Sequence, residues 1–450
     1  MSNIETTAEG AGQLHSTILV IGGGAAGMAA AIAARRSAKG SGQPCSINII
    51  ERNARPGAKI RISGGGKCNV THQGTPAELL EQGFLRRNEA RFLRHALYSF
   101  SNSDLLELLR SRGVETEERP DGKVFPVSGD AATVARAFEE LLRDSKVQPH
   151  YSSRVRSVER RGELFVVTTA DKVFTADSLI LATGGVSYSK TGTTGDGLAI
   201  ARSLGHTITK PSAALAPLFT IKPPPASLSG LALRGVSLVA IAGGKSVERR
   251  GDLLFTHRGF SGPVALSLSR DVAELMGESG TCALFADLFP EQSSAELEAE
   301  LLKQARKSGT QMVRKFLQVC PIAPQKGFFG AAPHGTIPTA LVPFLMRHAA
   351  LDSEVTWSGL AKEKRQSLLS GLKRFPLGSV RDVPLDQGEI SAGGVSLSEV
   401  NPKTFCSRVV PNLFLCGEIL DYAGEIGGFN LQAAFSTGWV AGGNAAKSCQ

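Results

Sequence analysis

Three glycines near the amino terminus have the spacing of a dinucleotide-binding turn. They are Gly22, Gly24 and Gly27, and they lie between an apolar run and an alanine-rich stretch. In such a unit the first glycine permits a tight turn, the second lets the backbone approach a pyrophosphate, and the third lets helix and strand pack closely. The phosphates would rest on the free amides and the positive dipole end of the helix. The alternative is a glycine turn in an ordinary β-α unit.

A carboxylate at the end of the next apolar run supports the nucleotide interpretation. Glu51 follows residues 46–50, at about the 20-residue separation expected between the glycines and the acid that holds the ribose hydroxyls.

A second glycine-rich stretch carries polar and reactive side chains. Residues 62–72 place Gly64, Gly65 and Gly66 directly before Lys67, Cys68 and Asn69. Three consecutive glycines are not typical of a core element, and they favour backbone laid against a flat or phosphorylated ligand. A flexible loop is the alternative.

Two further segments have the pattern of a flavoprotein. The apolar run 179–181 ends in Ala-Thr-Gly, where the chain would turn beneath a dinucleotide, and Asp196 follows in a glycine-rich stretch. Asp196 either caps the next helix or reaches a ribityl hydroxyl. After the apolar run 412–416, Gly417 and Glu418 precede a helix start at 430–432, whose amides would stabilise negative charge on a reduced flavin.

From these motifs we predict which residues hold FAD. They are Gly22, Gly24, Ala25, Ala26, Gly27, Glu51, Arg52, Lys59, Ser63, Gly64, Gly65, Lys67, Cys68, Asn69, Val155, Thr183, Gly184, Thr191, Gly195, Asp196, Gly417, Glu418, Gly428, Asn430, Leu431 and Gln432.

Reduction at a flavin also needs an acid that delivers a proton. The candidates are Cys68, His72, Tyr188 and His257. Cys68 is the first choice because it lies in the glycine-rich motif, although packing explains a cysteine there as readily. The His257-Arg258 pair lies on a turn that either faces a substrate or caps a helix.

The composition sets limits on the class of protein. The chain has 450 residues, 42% hydrophobic content and a net charge of +9, which indicates either attraction to phosphates or a solvated basic surface. Seven scattered cysteines without a C-x-x-C pair argue against a metal site, a redox dithiol or a disulfide framework, and favour a cytoplasmic protein. The first apolar run is broken by glycines, so we expect neither a signal peptide nor a membrane span.

The elements that must position these residues alternate in type along the chain. We predict helices at 77–85, 89–99, 103–112, 131–143 and 198–204, and short strands at 155–158, 164–169, 173–176 and 179–181. The stretch 211–289 has strand character, and 292–374 has helical periodicity.

The fold class that follows is α/β, with a Rossmann-like FAD-binding domain of the two-dinucleotide flavoprotein type, an inserted β-barrel domain and a small helical domain. We expect a disordered tail at 1–14, the FAD domain at 15–207 and 388–450, the barrel at 208–289 and 375–387, and the helical insert at 290–374.

Taken together, the quoted motifs resemble the BaiN/RdsA family of bacterial NAD(P)/FAD-dependent oxidoreductases. The resemblance extends from His15 onward, with Lys67 where the family usually has Arg and His72 where it usually has Asn. It implies flavin-mediated reduction of a C=C bond, as in bile-acid dehydroxylation or in the conversion of uridine to dihydrouridine in large-subunit ribosomal RNA. The basic charge balance mildly favours RNA, or its precursor, over a small-molecule substrate.

We therefore hypothesise that NAD(P)H reduces the FAD and that the reduced flavin delivers hydride to an electron-poor alkene. The sequence holds no second strand-G-x-G-x-x-G-helix unit, so the nicotinamide would dock transiently. Two other classes stay open: an FAD-dependent oxidase or amine dehydrogenase, and a non-catalytic flavin-bound RNA-binding protein.

Overall fold

The computed structural model describes residues 13–41, 45–319 and 337–448. The chain divides into two compact units, one containing the residues up to Pro211 together with those from Glu389 onward, and the other formed by Ser212–Gly388. Most of the predicted tail lies outside the described residues, and the last two of its positions, Gln13 and Leu14, belong to the first strand.

The elements are numbered along the chain. The strands are β1 (Gln13–Ile21), β2 (Ile47–Ile50), β3 (Thr71–His72), β4 (Thr116–Glu118), β5 (Lys123–Pro126), β6 (Gln148–His150), β7 (Ser157–Arg161), β8 (Leu164–Thr168), β9 (Val173–Leu181), β10 (Ile208–Ala214), β11 (Leu218–Thr220), β12 (Ala232–Ala242), β13 (Lys245–Phe255), β14 (Gly259–Ser261), β15 (Cys282–Asp287), β16 (Phe375–Asp382), β17 (Ile390–Val395) and β18 (Leu413–Leu415). The helices are α1 (Ala25–Ser41), α2 (Ala58–Gly66), α3 (Pro76–Gly83), α4 (Arg87–Ser99), α5 (Asn102–Arg110), α6 (Ala131–Asp144), α7 (Asp196–Ser203), α8 (Pro263–Ser279), α9 (Ser294–Lys307), α10 (Val313–Val319), α11 (Val342–His348), α12 (Lys362–Lys373) and α13 (Phe429–Ser448).

The first unit contains a twisted sheet that joins both ends of the chain. Among the described residues it has seven strands in the order β6-β2-β1-β9-β8-β7, with β18 also paired to β9. The pairs of β1 with β2 and β9, and of β18 with β9, are parallel. All four residues of β2 are buried, as expected for a parallel strand in the middle of an α/β fold. The predicted α/β class is therefore confirmed.

Strand β9 corrects the prediction of two short strands at 173–176 and 179–181. It is one continuous strand that pairs with β1 along its length. Its first half also pairs antiparallel with β8, from Val173 to Ala176, and its last residues pair parallel with β18. Because the partner on one edge changes within the strand, the sequence pattern changes there too.

Close packing of the first and last helices completes this unit. A Cβ added at Gly438 of α13 would lie 2.1 Å from the Ala26 carbonyl oxygen, and one at Gly442 would lie 1.9 Å from that of Ala30. Only glycine permits two helix backbones to come so near.

The helices predicted around 77–112 and 131–143 are confirmed as α3 to α6, and Thr75 and Ser101 form capping boxes at two of their starts.

The second unit contains a closed barrel with the strand order β11-β14-β13-β12-β15-β16 among the described residues. Within the stretch predicted as β, Pro263–Ser279 is a helix instead. Val264, Leu268 and Val272 are buried along one side of it, which is a helical period that the neighbouring strands obscured.

Helices α9 to α12 confirm the predicted helical character of 292–374 for the part that is described. They share one hydrophobic cluster with the barrel strands, in which Leu301 and Leu345 are buried together with Leu284. The boundary predicted between a barrel domain and a helical domain stays a prediction.

Candidate functional site

The amino-terminal glycine turn has the geometry that its spacing predicts. Gly22 has φ +106°, and a Cβ there would lie 2.4 Å from the Ala182 carbonyl oxygen. A Cβ at Gly27 would lie 1.8 Å from the Gly22 carbonyl oxygen, whereas one at Gly24 would meet no atom within 4 Å. The turn and packing roles of Gly22 and Gly27 are thus confirmed, and Gly24 leaves the open surface that an approaching pyrophosphate requires.

The start of α1 offers hydrogen-bond donors at this open surface. The amides of Gly24, Ala25 and Ala26 have no acceptor among the described residues, whereas the Met28 amide already bonds the Gly24 carbonyl at 2.9 Å. Unpaired amides at the positive end of a helix dipole bind anions.

Glu51 connects the glycine turn to the end of β2. Its carboxylate is buried and accepts hydrogen bonds from the Gly23 amide at 2.7 Å and the Asn53 amide at 2.8 Å. Each carboxylate oxygen keeps a further lone pair that a ribose hydroxyl could use. Sequence reasoning did not single out Gly23 or Asn53.

The loop before α7 is held by three side chains. Arg52 donates to Thr194 Oγ1 at 2.7 Å, and Asn53 Nδ2 donates to the Thr191 carbonyl at 2.9 Å. Arg154, which the sequence did not indicate, donates two hydrogen bonds to the Asp196 carboxylate at 2.8 and 3.0 Å.

Asp196 does not cap α7, so the capping alternative is wrong, whereas its contact with a ribityl hydroxyl stays a prediction. Gly195 occupies the N-cap position of α7, and no side chain caps that helix. Hydrogen bonds from Arg154 lower the pKa of the Asp196 carboxyl, and the nearby Arg52 contributes in the same direction. The carboxylate holds the loop in place through Arg154.

Two residues predicted as cofactor contacts, Lys59 and Glu418, form one ion pair. The Lys59 Nζ to Glu418 Oε2 distance is 2.6 Å. Glu418 Oε1 also accepts from the Ser391 amide at 2.9 Å and from Ser187 Oγ at 3.2 Å. The ion pair thus joins four segments that are far apart in the sequence, and neither serine was predicted.

The triple glycine motif combines a helix end with left-handed backbone. The described helix α2 includes it, but Ser63 is extended, and Gly64 and Gly65 have φ +56° and +66°. Gly64, Gly65 and Lys67 are exposed, so this backbone is accessible to a ligand, and its contact with FAD stays a prediction.

Cys68 next to these glycines faces the opposite way. It has no exposed surface and belongs to the hydrophobic core of the first unit. Burial raises the pKa of its thiol to about 11, against a smaller opposite effect of Ser63. The residue has no surface to offer a ligand, which favours the packing alternative over the predicted proton donor.

The start of α13 is fastened to this motif by side chains. In the orientation that satisfies its hydrogen bonds, the Asn69 amide accepts from the Gly428 N–H at 3.0 Å and donates to the Thr71 carbonyl at 3.0 Å. The His72 ring stacks on the Phe429 ring at 4.7 Å between centroids. Both nitrogens of His72 face carbonyl oxygens, those of Gln73 and Asp121, so this proton-donor candidate has a structural role here.

The predicted amides at the start of α13 divide into two groups. Those of Asn430 and Leu431 have no acceptor among the described residues, whereas the Gln432 amide bonds the Gly428 carbonyl at 3.0 Å. Gln432 is fully buried, and its side chain donates to the Phe100 carbonyl at 3.3 Å. The backbone amides of Asn430 and Leu431 can therefore donate hydrogen bonds to a negatively charged ligand, whereas the amide of Gln432 cannot.

Tyr188 is the proton-donor candidate that combines exposure with an unusual backbone. Its φ is +49°, which is rare for a bulky residue, and it is 36% exposed. It directly follows Ser187, a partner of Lys59. Burial, followed by the nearby Glu389, raises the pKa of its phenol.

The remaining predicted residues have structural positions. Val155 is buried, Gly184 and Gly195 have φ +74° and +82°, and the Thr183 hydroxyl has no hydrogen-bond partner in the described structure. A Cβ at Gly197 would lie 1.8 Å from that hydroxyl, so Thr183 packs directly against the start of α7.

His257 lies in the other unit. It is exposed on the turn between β13 and β14. The helix-capping interpretation of this turn is wrong, because α8 begins at Pro263 with Gly262 as its N-cap. The Arg258 guanidinium instead lies 3.8 Å from the centre of the Phe219 ring.

The residues of the first unit fit a bound dinucleotide. An open glycine cradle, unpaired amides at two helix starts and a buried carboxylate near the first of them supply what an FAD pyrophosphate, ribose and ring require. The fold and the site define a flavin-dependent oxidoreductase with a Rossmann-like FAD-binding fold.

Comparison with known proteins agrees with this class. Residues 16–444 match the family described as HI0933-like protein Rossmann domain, and the chain belongs to this family. It is 33% identical over 430 residues to a 3-dehydro-bile acid delta(4,6)-reductase of Clostridium scindens, covering 95% of this chain and 98% of that protein. It is 28% identical over 422 residues to a ribosomal RNA dihydrouridine synthase of Escherichia coli, covering 94% and 96%.

Among solved structures, 3-ketosteroid-delta4-(5alpha)-dehydrogenase from Rhodococcus jostii RHA1 is similar with a TM-score of 0.48 and 16% identity, covering 96% of this chain and 97% of that one.

None of the described helices is long and apolar enough to cross a membrane. No group of three or more His, Cys, Asp or Glu side chains in the described parts could hold a metal ion.

Proposed function

We propose that this protein uses NAD(P)H to reduce a C=C bond through bound FAD, and that the bond is in a uridine of large-subunit ribosomal RNA. The observation that carries the proposed flavin chemistry is the pair of helix starts with unpaired amides, at Ala25 and Asn430, in the unit whose sheet joins both ends of the chain. The net charge of +9 supports a polyanionic substrate.

FAD held at these helix starts would supply the chemistry of hydride transfer between a nicotinamide and an alkene. The chain's own residues orient and tune that group. The start of α1 would hold the pyrophosphate, Glu51 the ribose, and the amides of Asn430 and Leu431 the electron-rich side of the ring. The Lys59–Glu418 ion pair keeps the carboxyl end of β18 in register with α2.

Tyr188 is the residue that we propose delivers the proton to the second carbon. Its phenol is partly exposed and carries a proton at neutral pH, as an ordinary phenol does, so it can donate. A left-handed backbone at a bulky residue costs free energy and is typical of functional positions.

The test compares Tyr188→Phe with Cys68→Ala. We expect Tyr188→Phe to slow oxidation of the pre-reduced enzyme by substrate on the order of a hundredfold, with flavin reduction by NAD(P)H unchanged. Cys68→Ala, which keeps a Cβ at the same φ, should leave both steps unchanged. A normal rate for Tyr188→Phe would remove Tyr188 from the mechanism.

The nicotinamide would bind transiently. The sequence has a single strand-G-x-G-x-x-G-helix unit, at Gly22 to Gly27, and the proposed FAD already uses it. Rapid mixing of the flavin-loaded protein with NADH and with NADPH, followed by flavin absorbance, tests this part. Reduction by neither donor would contradict it.

The substrate is tested with unmodified large-subunit ribosomal RNA transcribed in vitro. The flavin-loaded protein with NAD(P)H should add two hydrogens to one uridine, as found by mass spectrometry of nuclease fragments. An RNA that gains no mass, under conditions in which NAD(P)H reduces the flavin, would contradict the RNA substrate.

A steroid-like enone is the second candidate, because identity to the bile-acid reductase is 33% over 430 residues. A 3-oxo-Δ4 steroid in the same assay tests it. Consumption of NAD(P)H with the steroid and not with RNA would favour this candidate.

A further inference from the structure

Helix α4 presents two chemically different faces. Its inner face is apolar, with Phe92, Leu93 and Leu97 buried in the core of the first unit. Its outer face carries exposed cations and one exposed aromatic ring. We call Arg87, Arg91, Arg94 and Tyr98 the basic stripe, and all four are exposed.

The basic stripe follows one line of the helix. Its arginines are four and three residues apart, so their side chains project from neighbouring positions on the same face. The Arg94 guanidinium lies 5.6 Å from the centre of the Tyr98 ring. Tyr98 is 53% exposed, and an exposed ring beside cations is a platform on which a base can stack.

The positive charge of this face is not neutralised. Between residues 85 and 103, all of which the structure describes, the only carboxylate is Glu89. Glu89 is 1% exposed and faces inward. Arg87, Arg91 and Arg94 form no ion pair with any described residue, in contrast to Arg112, which pairs with Asp144. Such a face attracts a polyanion.

Helix α4 also rests on the segment that leads into the candidate flavin site. The Glu89 carboxylate accepts from the Ala423 amide at 3.3 Å. The Gly83 carbonyl, at the corner before α4, accepts from the Glu425 amide at 2.8 Å. The same segment, residues 423–428, is bound to the first turn of α13, because the Asn430 side chain accepts a hydrogen bond from the Gly424 amide at 2.7 Å. An RNA strand bound along α4 would thus lie on a helix that is fixed to the lead-in of α13.

We propose that the basic stripe is a docking surface for the sugar-phosphate backbone of an RNA substrate, and that it positions the RNA for the flavin site. This inference rests on the proposed function. A lipid surface fits less well, because the large aliphatic and phenyl side chains of α4, those of Phe92, Leu93 and Leu97, are buried in the core and cannot enter a membrane.

The test uses the flavin-loaded full chain in two triple variants of equal charge. In the stripe variant, Arg87, Arg91 and Arg94 are changed to Gln. In the control variant, Arg136, Arg156 and Arg202 are changed to Gln; these are also exposed. Both lose three positive charges, so an effect of net charge alone would be the same in both.

Binding of unmodified large-subunit ribosomal RNA is measured over a range of salt concentrations. Loss of three phosphate contacts should lower the slope of log K against log salt by about 2, at about 0.7 per contact on single-stranded RNA. We expect KM for RNA to rise on the order of tenfold in the stripe variant, with kcat, flavin content and reduction by NAD(P)H unchanged. The control variant should match the wild type.

Several outcomes would overturn the inference. Equal RNA affinity and salt slope in the two variants would show that the stripe does not contact RNA. Loss of binding to phosphatidylglycerol vesicles with unchanged RNA binding would assign the surface to a membrane. If the wild type reduces a steroid enone and neither binds nor reduces RNA, the RNA part of the proposed function fails and this surface proposal fails with it.

Discussion

The starts of α1 and α13 present unpaired amides in the same way, but side chains contribute differently to them. At α1 the geometry depends on a glycine, since a Cβ at Gly27 would lie 1.8 Å from a backbone oxygen. At α13 a glycine has the same role, because a Cβ at Gly428 would lie 2.6 Å from the Thr71 carbonyl oxygen, but the side chains of Asn69 and His72 also contact the segment Gly428 to Phe429.

The difference matters for what each region tolerates. A glycine in contact with backbone cannot be relieved by a rotamer change, so the start of α1 has no alternative packing. The start of α13 has the same constraint at Gly428, but it also depends on hydrogen bonds that can be removed one at a time. We therefore expect substitution of a contacting glycine to disrupt either region abruptly, and removal of the side chains at α13 to weaken that region in steps.

The largest effect is expected for Gly27→Ala. The new methyl group would overlap the Gly22 carbonyl oxygen, and we expect a loss of about 3 kcal/mol or more in the free energy of unfolding, together with loss of flavin. The matched control is Gly24→Ala, whose Cβ meets no atom within 4 Å. It should fold normally in urea titrations and lose affinity only for FAD, followed by flavin fluorescence. Equal stability of the two variants would contradict the packing role of Gly27.

The next effect concerns the packing of helix α1 against helix α13. Gly442→Ala would place a methyl group 1.9 Å from the Ala30 carbonyl oxygen, and we expect a destabilisation of about 2 kcal/mol. Gly443→Ala is the control, because its nearest neighbour is the Ser37 hydroxyl at 3.4 Å. It should stabilise the helix by up to about 1 kcal/mol. Thermal unfolding of the flavin-free proteins measures both, and a stable Gly442→Ala variant would show that α1 and α13 can separate without cost.

A smaller effect is expected for Asn69→Ala. The Gly428 amide would lose its acceptor, with a cost of about 1 kcal/mol in unfolding free energy and weaker FAD binding. Asn69→Asp keeps the acceptor for the Gly428 amide but places an oxygen against the Thr71 and Val124 carbonyls, so it should be less stable than the wild type while retaining more FAD affinity than the alanine variant. Identical FAD affinities in all three proteins, measured by fluorescence titration, would show that α13 needs no such fastening.

The smallest effect is expected for Asp196→Asn, because its ion pair with Arg154 is largely exposed. The carboxyl has a lowered pKa in the folded protein, so its stabilisation is present above the unfolded pKa of about 3.9 and is lost as the pH falls through the folded value. The stability difference between wild type and Asp196→Asn should be constant from pH 5 to 8 and should shrink below about pH 4. A difference that grows on acidification would reverse this assignment.

Much of the candidate site could be predicted from local sequence. Gly27 is required by a contact with the Gly22 carbonyl oxygen, which lies within six residues of chain, and capping boxes such as that of Thr75 specify helix starts in the same local way. The strand β9 was divided wrongly because its partner changes from β8 to β18 along one edge. Strand pairing is not encoded in the strand itself.

The sequence by itself determined the positions where backbone must approach backbone or ligand, since only glycine meets that demand and its spacing is visible in the chain. The tertiary structure alone decided which polar side chains meet. Lys59 and Glu418, like Arg154 and Asp196, are brought together by the sheet and its loops, and Cys68, whose own φ is +57°, lies in the core after three left-handed glycines. Such contacts depend on distances between segments far apart in the sequence, and residue types carry no record of those distances.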